Sequence, residues 1–113
     1  MSARAFRPDG QAVTLVATST SSRQPLVNGG GTCASETFAV TVEAGGSVVY
    51  VTTGTSTITA TASDQVAATY CSNPVLPGTT RVFELKNSNH THVAVITRTG
   101  TSYVYVQPGV GGL

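Results

Sequence analysis

The chain has 113 residues, six Lys+Arg against five Asp+Glu, and a net charge of +1. That length makes one domain whose core has little to spare. The charge pattern excludes a nucleic-acid binder that relies on phosphate contacts, because Arg4, Arg7, Arg23, Arg81, Lys86 and Arg98 are scattered and form no basic patch.

Valine dominates the apolar residues, and Thr and Ser supply much of the remainder. β-Branched side chains lose rotamer freedom in a helix and suit a pleated, half-buried surface. No window sustains a helical period, so the chain is predicted to be all-β. Met1–Gly10, with two arginines, Pro8, the turn formers Asp9–Gly10 and Phe6, reads as an N-terminal arm. Residues 11–113 read as a single β-sandwich domain.

Gln11–Thr18 is predicted as the first strand. Ser19–Thr32, with its hydroxyl run and Gly29–Gly31, reads as a long loop with weak strand character near Pro25–Val27. Glu36–Glu43 alternates clearly, with Phe38, Val40 and Val42 on one face and Thr37, Ala39 and Thr41 on the other. The turn Ala44–Gly46 leads to Ser47–Thr53, which predicts a hairpin. Ser56–Ala62 reads as a strand of small side chains, and Val66–Cys71 as a short strand or an irregular crossing.

Three further apolar runs, Arg81–Lys86, His92–Thr97 and Ser102–Gln107, are separated by the turn formers of Asn87–His90 and Thr99–Thr101. They read as a three-strand meander, opened by Pro77–Gly78 and closed by Pro108–Gly109. Seven or eight short strands at regular spacing predict two antiparallel sheets face to face, of jelly-roll or Greek-key type. The predicted core is Leu15, Phe38, Val40, Val42, Val49, Val51, Val82 or Phe83, Leu85, Val93, Val95, Val104 and Val106, where a one-residue slip would reverse the face.

Residues that carry chemistry are few. His90 and His92 stand two apart, the spacing that shares a strand face, and Asp64 or Glu84 could complete a metal site. The prosaic reading, polar groups at a turn and a strand start, takes precedence. Cys71 and His92 have no spacing that supports a nucleophilic dyad, and no GxSxG elbow is present. The five carboxylates are dispersed, which argues against a glycosidase pair, and Gly29–Gly31 leads to no phosphate-loop lysine. No enzyme activity, metal or cofactor is expected. Tyr103 and Tyr105 share a face and could form a sugar-stacking platform, although packing in a core or interface is the favoured role.

Cys33 and Cys71 form no CxxC pair. With MSARAFRPDG at the start and no apolar leader or membrane-length run, both are expected as free thiols, and the sequon Asn89–Thr91 as coincidental.

Several short motifs follow one another in a recognisable order. Pro8–Gly10 is followed by a Thr/Ser-rich first strand, a V-x-V strand and a Tyr-Val strand ending in Gly54. Then come T-x-T-A-T-A-S-D at Thr57–Asp64, L-P-G-T at Leu76–Thr79, T-H-V-A-V-I at Thr91–Ile96 and Y-V-x-P-G-x-G-G at Tyr105–Gly112. The order resembles the small all-β proteins encoded beside the capsid genes of tailed bacteriophages, some of which are head decoration or cement proteins. The resemblance spans roughly Pro8 to Leu113 and rests mainly on turn signals.

It implies a jelly-roll-like sandwich, made in the host cytoplasm, that binds the exterior of the head and reinforces the shell. The implied partners are the major capsid protein and further copies of the chain, as a dimer or trimer, with no membrane and no nucleic acid. Arg4, Phe6, Arg7, Arg23 and Leu26 are the expected capsid contacts, drawn from the arm and the long loop. A receptor- or glycan-binding module of a phage tail or spike is the alternative, and a small hydrolase a distant third.

Overall fold

The computed structural model describes residues 5–26, 37–62, 72–85 and 90–112, and within them the chain is all strand, turn and irregular structure. Its strands are β1 (Arg7–Pro8), β2 (Val13–Ala17), β3 (Ser22–Pro25), β4 (Thr37–Val42), β5 (Val49–Gly54), β6 (Asn73–Val75), β7 (Thr80–Glu84), β8 (His92–Thr97) and β9 (Ser102–Val110). Seven or eight were expected; of the nine observed, β1, β3 and β6 were not among them.

The strands form two antiparallel sheets. The first has the order β2-β9-β4-β7, with β1 continuing β2 along the same side of β9, and the second has the order β3-β8-β5-β6. Four of the pairings nest inside one another. Val13 meets Val106, Ser22 meets Val95, Thr37 meets Glu84 and Val49 meets Val75. All are centred on nearly the same stretch of chain, around residue 60. The protein is therefore one long antiparallel ribbon, bent so that successive rungs fall in alternate sheets and closed by β4 on β9 and β5 on β8. That is the jelly-roll connectivity, and it is how two sheets cover each other's apolar faces.

The ribbon overturns two local expectations. β4 and β5 form no hairpin, because the turn at Ala44–Gly46 carries the chain from one sheet to the other. The C-terminal runs form no meander: β7 pairs β4, β8 lies between β3 and β5, and β9 returns to the first sheet. Turn residues signal a reversal of direction, but not whether the reversed chain stays in its own sheet. Two more expectations change as well. Ser56–Ala62 makes no strand, while Ser22–Pro25, inside the expected long loop, does. Val66–Cys71, Cys33 and Gly29–Gly31 lie outside the described residues.

β9 also runs through Pro108–Gly109, where the dipeptide suggested a strand end. Position 108 falls between the end of the β2 ladder at Val106 and the start of the β1 ladder at Gly109. The missing N–H thus meets no strand partner, and the Pro108 carbonyl still accepts from Asp9 N.

Between the sheets lie Leu15, Ala17, Leu26, Phe38, Val40, Val42, Val49, Val51, Val75, Val93, Val95, Val104 and Val106, with Val13, Phe83 and Leu85 packed against them. The alternation placed this core correctly, except that it passed over Ala17, Leu26 and Val75, which stand at strand ends or on the short β6. Phe38 and Phe83 sit opposite each other on β4 and β7, their rings stacked with centroids 5.3 Å apart. At this open side Arg81 lies 4.8 Å over the Phe83 ring, and its Nη1 donates to the Pro74 carbonyl across the gap, joining β7 to β6. Buried hydroxyls are satisfied by backbone: Thr37 donates to Gly111 O, Thr97 to Gly100 O and Ser102 to Ser47 O.

Candidate functional site

The outer faces of the two sheets decide what a partner can touch. On the second sheet, Gly54 faces outward, and any Cβ there would run into Ile58. Beyond Ile58, Ala60 N donates to Ser21 Oγ beside β3. Because β8 lies between β5 and β3, the Thr55–Ala62 segment crosses over β8 on this outer face, and outward-facing Ala94 is fully buried.

On the first sheet the N-terminal segment covers one half of the outer face. Arg7 and Pro8 pair with Val110 and Gly109. The Phe6 ring lies against Gly109 and Gly112, which have no side chain to displace it. This cover explains why Thr37 and Ala39, on the face expected to meet solvent, are buried. Residues 6–8 of the expected arm thus form a strand and a lid on the same chain's sheet.

The other half of that face is open. Val16 stands directly opposite Tyr103, and Tyr105 follows two residues along β9 opposite Thr14. Their exposures are 48% for Val16, 55% for Tyr103 and 38% for Tyr105. These are three of the four large apolar residues exposed among the described ones; the fourth is Leu76, in the turn before β7. Thr41, opposite Tyr105 on β4, extends the row and bonds to Thr80 Oγ1 at 2.8 Å. Sequence reasoning correctly placed Tyr103 and Tyr105 on one face and favoured packing in a core or interface; their exposure excludes the core half of that reading.

Glu43 completes the patch. Tyr105 Oη donates to Glu43 Oε1, and this bond, with some desolvation and the nearby negative charge, raises the Tyr105 pKa above its ordinary 10.0. Beside it, Glu43–Gly46 and Thr101–Tyr103 line a shallow cleft of about 160 Å³. Ser102 fastens this rim, accepting from Ser47 N and donating to Ser47 O, both at 2.7 Å. A second shallow cleft, about 350 Å³, lies over Gly46–Val48, Tyr50, Pro77, Arg98 and Thr99.

The expected contact residues do not come together. Arg4 lies outside the described residues, Phe6 is half-buried on its own sheet, and Arg7 is exposed on β1. Arg23 is exposed on β3 in the other sheet. Leu26 is 1% exposed and belongs to the core, so its side chain cannot meet a partner unless the end of β3 opens.

The histidines are spent locally: His90 Nδ1 pairs with Thr53 Oγ1 at 2.9 Å, and His92 Nδ1 with Thr91 Oγ1 at 2.8 Å. Glu84 is in the opposite sheet and Asp64 lies outside the described residues. Among the described residues no three His, Cys, Asp or Glu side chains gather into a metal site. Among the described residues no helix is long and apolar enough to cross a membrane. No protein-family model, curated protein or solved structure significantly matches this chain.

Proposed function

We propose that this protein is a structural virion component, a decoration or cement protein that binds the exterior of a tailed-phage head and reinforces the shell. The observation that carries the reading is the open Val16–Tyr103–Tyr105 face, formed by β9 and its neighbour β2. Aromatic groups held rigidly in a sheet supply large contact area at little entropic cost, which suits a protein whose task is adhesion. The order of turn motifs along the chain supports the same reading as a family resemblance, and so does the fold, by analogy alone. The major capsid protein is the proposed partner. The test is co-sedimentation of the purified protein with heads assembled from the proposed partner, the major capsid protein. Wild type should pellet with the heads and the Tyr103→Ser/Tyr105→Ser double variant should not. Failure of the wild type to pellet would end the proposal.

One observation favours a second reading, a glycan-binding module. Tyr105 and Glu43 join an exposed ring to a carboxylate beside a cleft, a combination that can stack on a sugar and accept its hydroxyl protons. Binding of the wild type to an oligosaccharide array, lost in Tyr105→Ser, together with no pelleting on heads, would select it.

A further inference from the structure

A sheet edge is a template for another strand, and proteins guard their edges with charge, proline or cover. Three of the four edges here are guarded. β3 carries Arg23 and Pro25, and β6 carries Pro74. β7 carries Arg81 and Glu84, with the Arg81 guanidinium bridging to β6. On the fourth edge β1 carries Arg7 and Pro8, but β2, which continues it, has none of these devices. Its sequence is Val-Thr-Leu-Val-Ala, uncharged and rich in strand formers, and Val16 is about half exposed.

The edge is also chemically open. Glu43 N bonds to Tyr103 O, so the backbone groups of Tyr103 and Tyr105 face β4 and those of Val104 face β2. Leu15, opposite Val104, therefore spends its N–H and C=O on β9. Thr14 and Val16, one residue to either side, turn theirs to the free edge, and both residues are solvent-exposed. Among the described residues these groups have no hydrogen-bond partner.

We infer that β2 is a self-association edge, pairing antiparallel with β2 of a second copy about a twofold axis at Leu15. In that register Thr14 of one copy faces Val16 of the other, and the two symmetric pairs exchange four N–H···O=C bonds. With no charge on β2, the approach of two copies meets no like-charge repulsion. Another copy's β3, β6 or β7 would bring a proline or a charged side chain to the junction, so β2 with β2 is the pairing that two copies can make freely. A twofold axis through a residue keeps both outer faces on one side. The row Tyr103–Val16 then continues into Thr14 and Tyr105 of the second copy, and the two small aromatic patches become one.

The test is sedimentation velocity of the full chain, loaded from about 10 to about 500 µM because an interface this small associates weakly. Wild type should shift from monomer to dimer across that range. Thr14→Pro removes a donor that faces away from β9 and should leave the intrachain ladder intact; Val16→Lys places charge at the edge. Each should weaken dimerisation by roughly tenfold or more, through blocked strand addition. Amide hydrogen exchange at Thr14 and Val16 should slow as protein concentration rises, with no such change on β3 or β7. If either variant unfolds, this exchange measurement on wild type decides alone. A monomer at every concentration, or a dimer indifferent to both substitutions with Thr14 and Val16 unprotected, would overturn the inference; the first outcome would leave the edge for a strand of a different protein.

Discussion

Phe6 offers a direct test of whether the N-terminal segment belongs to the domain. Its ring is half-buried on Gly109 and Gly112, next to β1. Full burial of a phenylalanine is worth about 1.5–3 kcal/mol, so half of it is worth about 1 kcal/mol, and slightly more if Phe6→Ala also frees β1. At this chain length about 1 kcal/mol moves the melting temperature by roughly 4 °C, so Phe6→Ala should lower Tm by about 4–6 °C. Gly109→Ala perturbs the same contact from the other side. Gly109 has no left-handed φ, so alanine is not strained there. Its Cβ would lie 2.5 Å from the Arg7 carbonyl and collide with the Phe6 ring. Overpacking of this kind costs about 1–3 kcal/mol unless residues 5–8 lift away. Because both changes end in the same displaced segment, the double variant should cost less than the sum of the singles. Calorimetry on the four proteins reads all of this. Melting temperatures within about 1 °C of wild type for both single variants would show that residues 5–8 do not hold this position in solution.

Other substitutions test other parts of the fold. Phe38→Ala removes a fully buried ring stacked on Phe83 and should destabilise by about 3–5 kcal/mol in urea unfolding, the largest single effect expected here. Ser102→Ala strands the N–H and C=O of Ser47 and should cost about 1–3 kcal/mol, with faster amide exchange in Glu43–Val48. The raised Tyr105 pKa means that folding favours the neutral phenol, so this contribution to stability is complete below pH 10.0 and is lost as pH rises through the folded-state value. Ultraviolet titration of wild type should therefore show Tyr105 ionising late, and Glu43→Ala should return it toward the ordinary range.

The core was legible in the sequence because it depends on the period of two: Phe38, Val40 and Val42, or Val104 and Val106, declare one face without reference to any other strand. Partners were not legible. Ala44–Gly46 reads equally well as a hairpin turn and as a step between sheets, and only the wound ribbon separates the two. The small residues of Ser56–Ala62 satisfy a strand's composition, yet they cross β8, where small side chains let the chain lie close. Pro108 looked like a stop because its missing donor could not be seen to meet a gap between β1 and β2. The candidate site was half legible for the same reason. The alternation of β9 put Tyr103 and Tyr105 on one face, but whether that face is open depends on where Phe6 lies, and Phe6 is nearly a hundred residues away.

The position of the aromatic patch has a consequence for how binding should respond to salt. Tyr103 and Tyr105 project from β9, which is laddered on both sides by β2 and β4, so their backbone is fixed before any partner arrives. The arginines once expected to lead the contact sit elsewhere: Arg7 on the two-residue β1 and Arg23 on an edge of the other sheet. Neither adjoins the patch in the ladders, and among the described residues the one charge that does, Glu43, is engaged by Tyr105. Association through this face should therefore be driven by burial of apolar and aromatic surface, with little long-range electrostatic steering. Under the proposed capsid binding, raising ionic strength from about 0.05 to about 0.5 M, which shortens the screening length severalfold, should change affinity for heads by less than about threefold. A contact led by Arg7 and Arg23 would weaken by roughly tenfold or more over the same range, because each exposed ion pair would be screened. Pelleting at the two salt concentrations distinguishes these outcomes, and a steep loss would move the binding surface from the tyrosine face to the arginine-bearing edges.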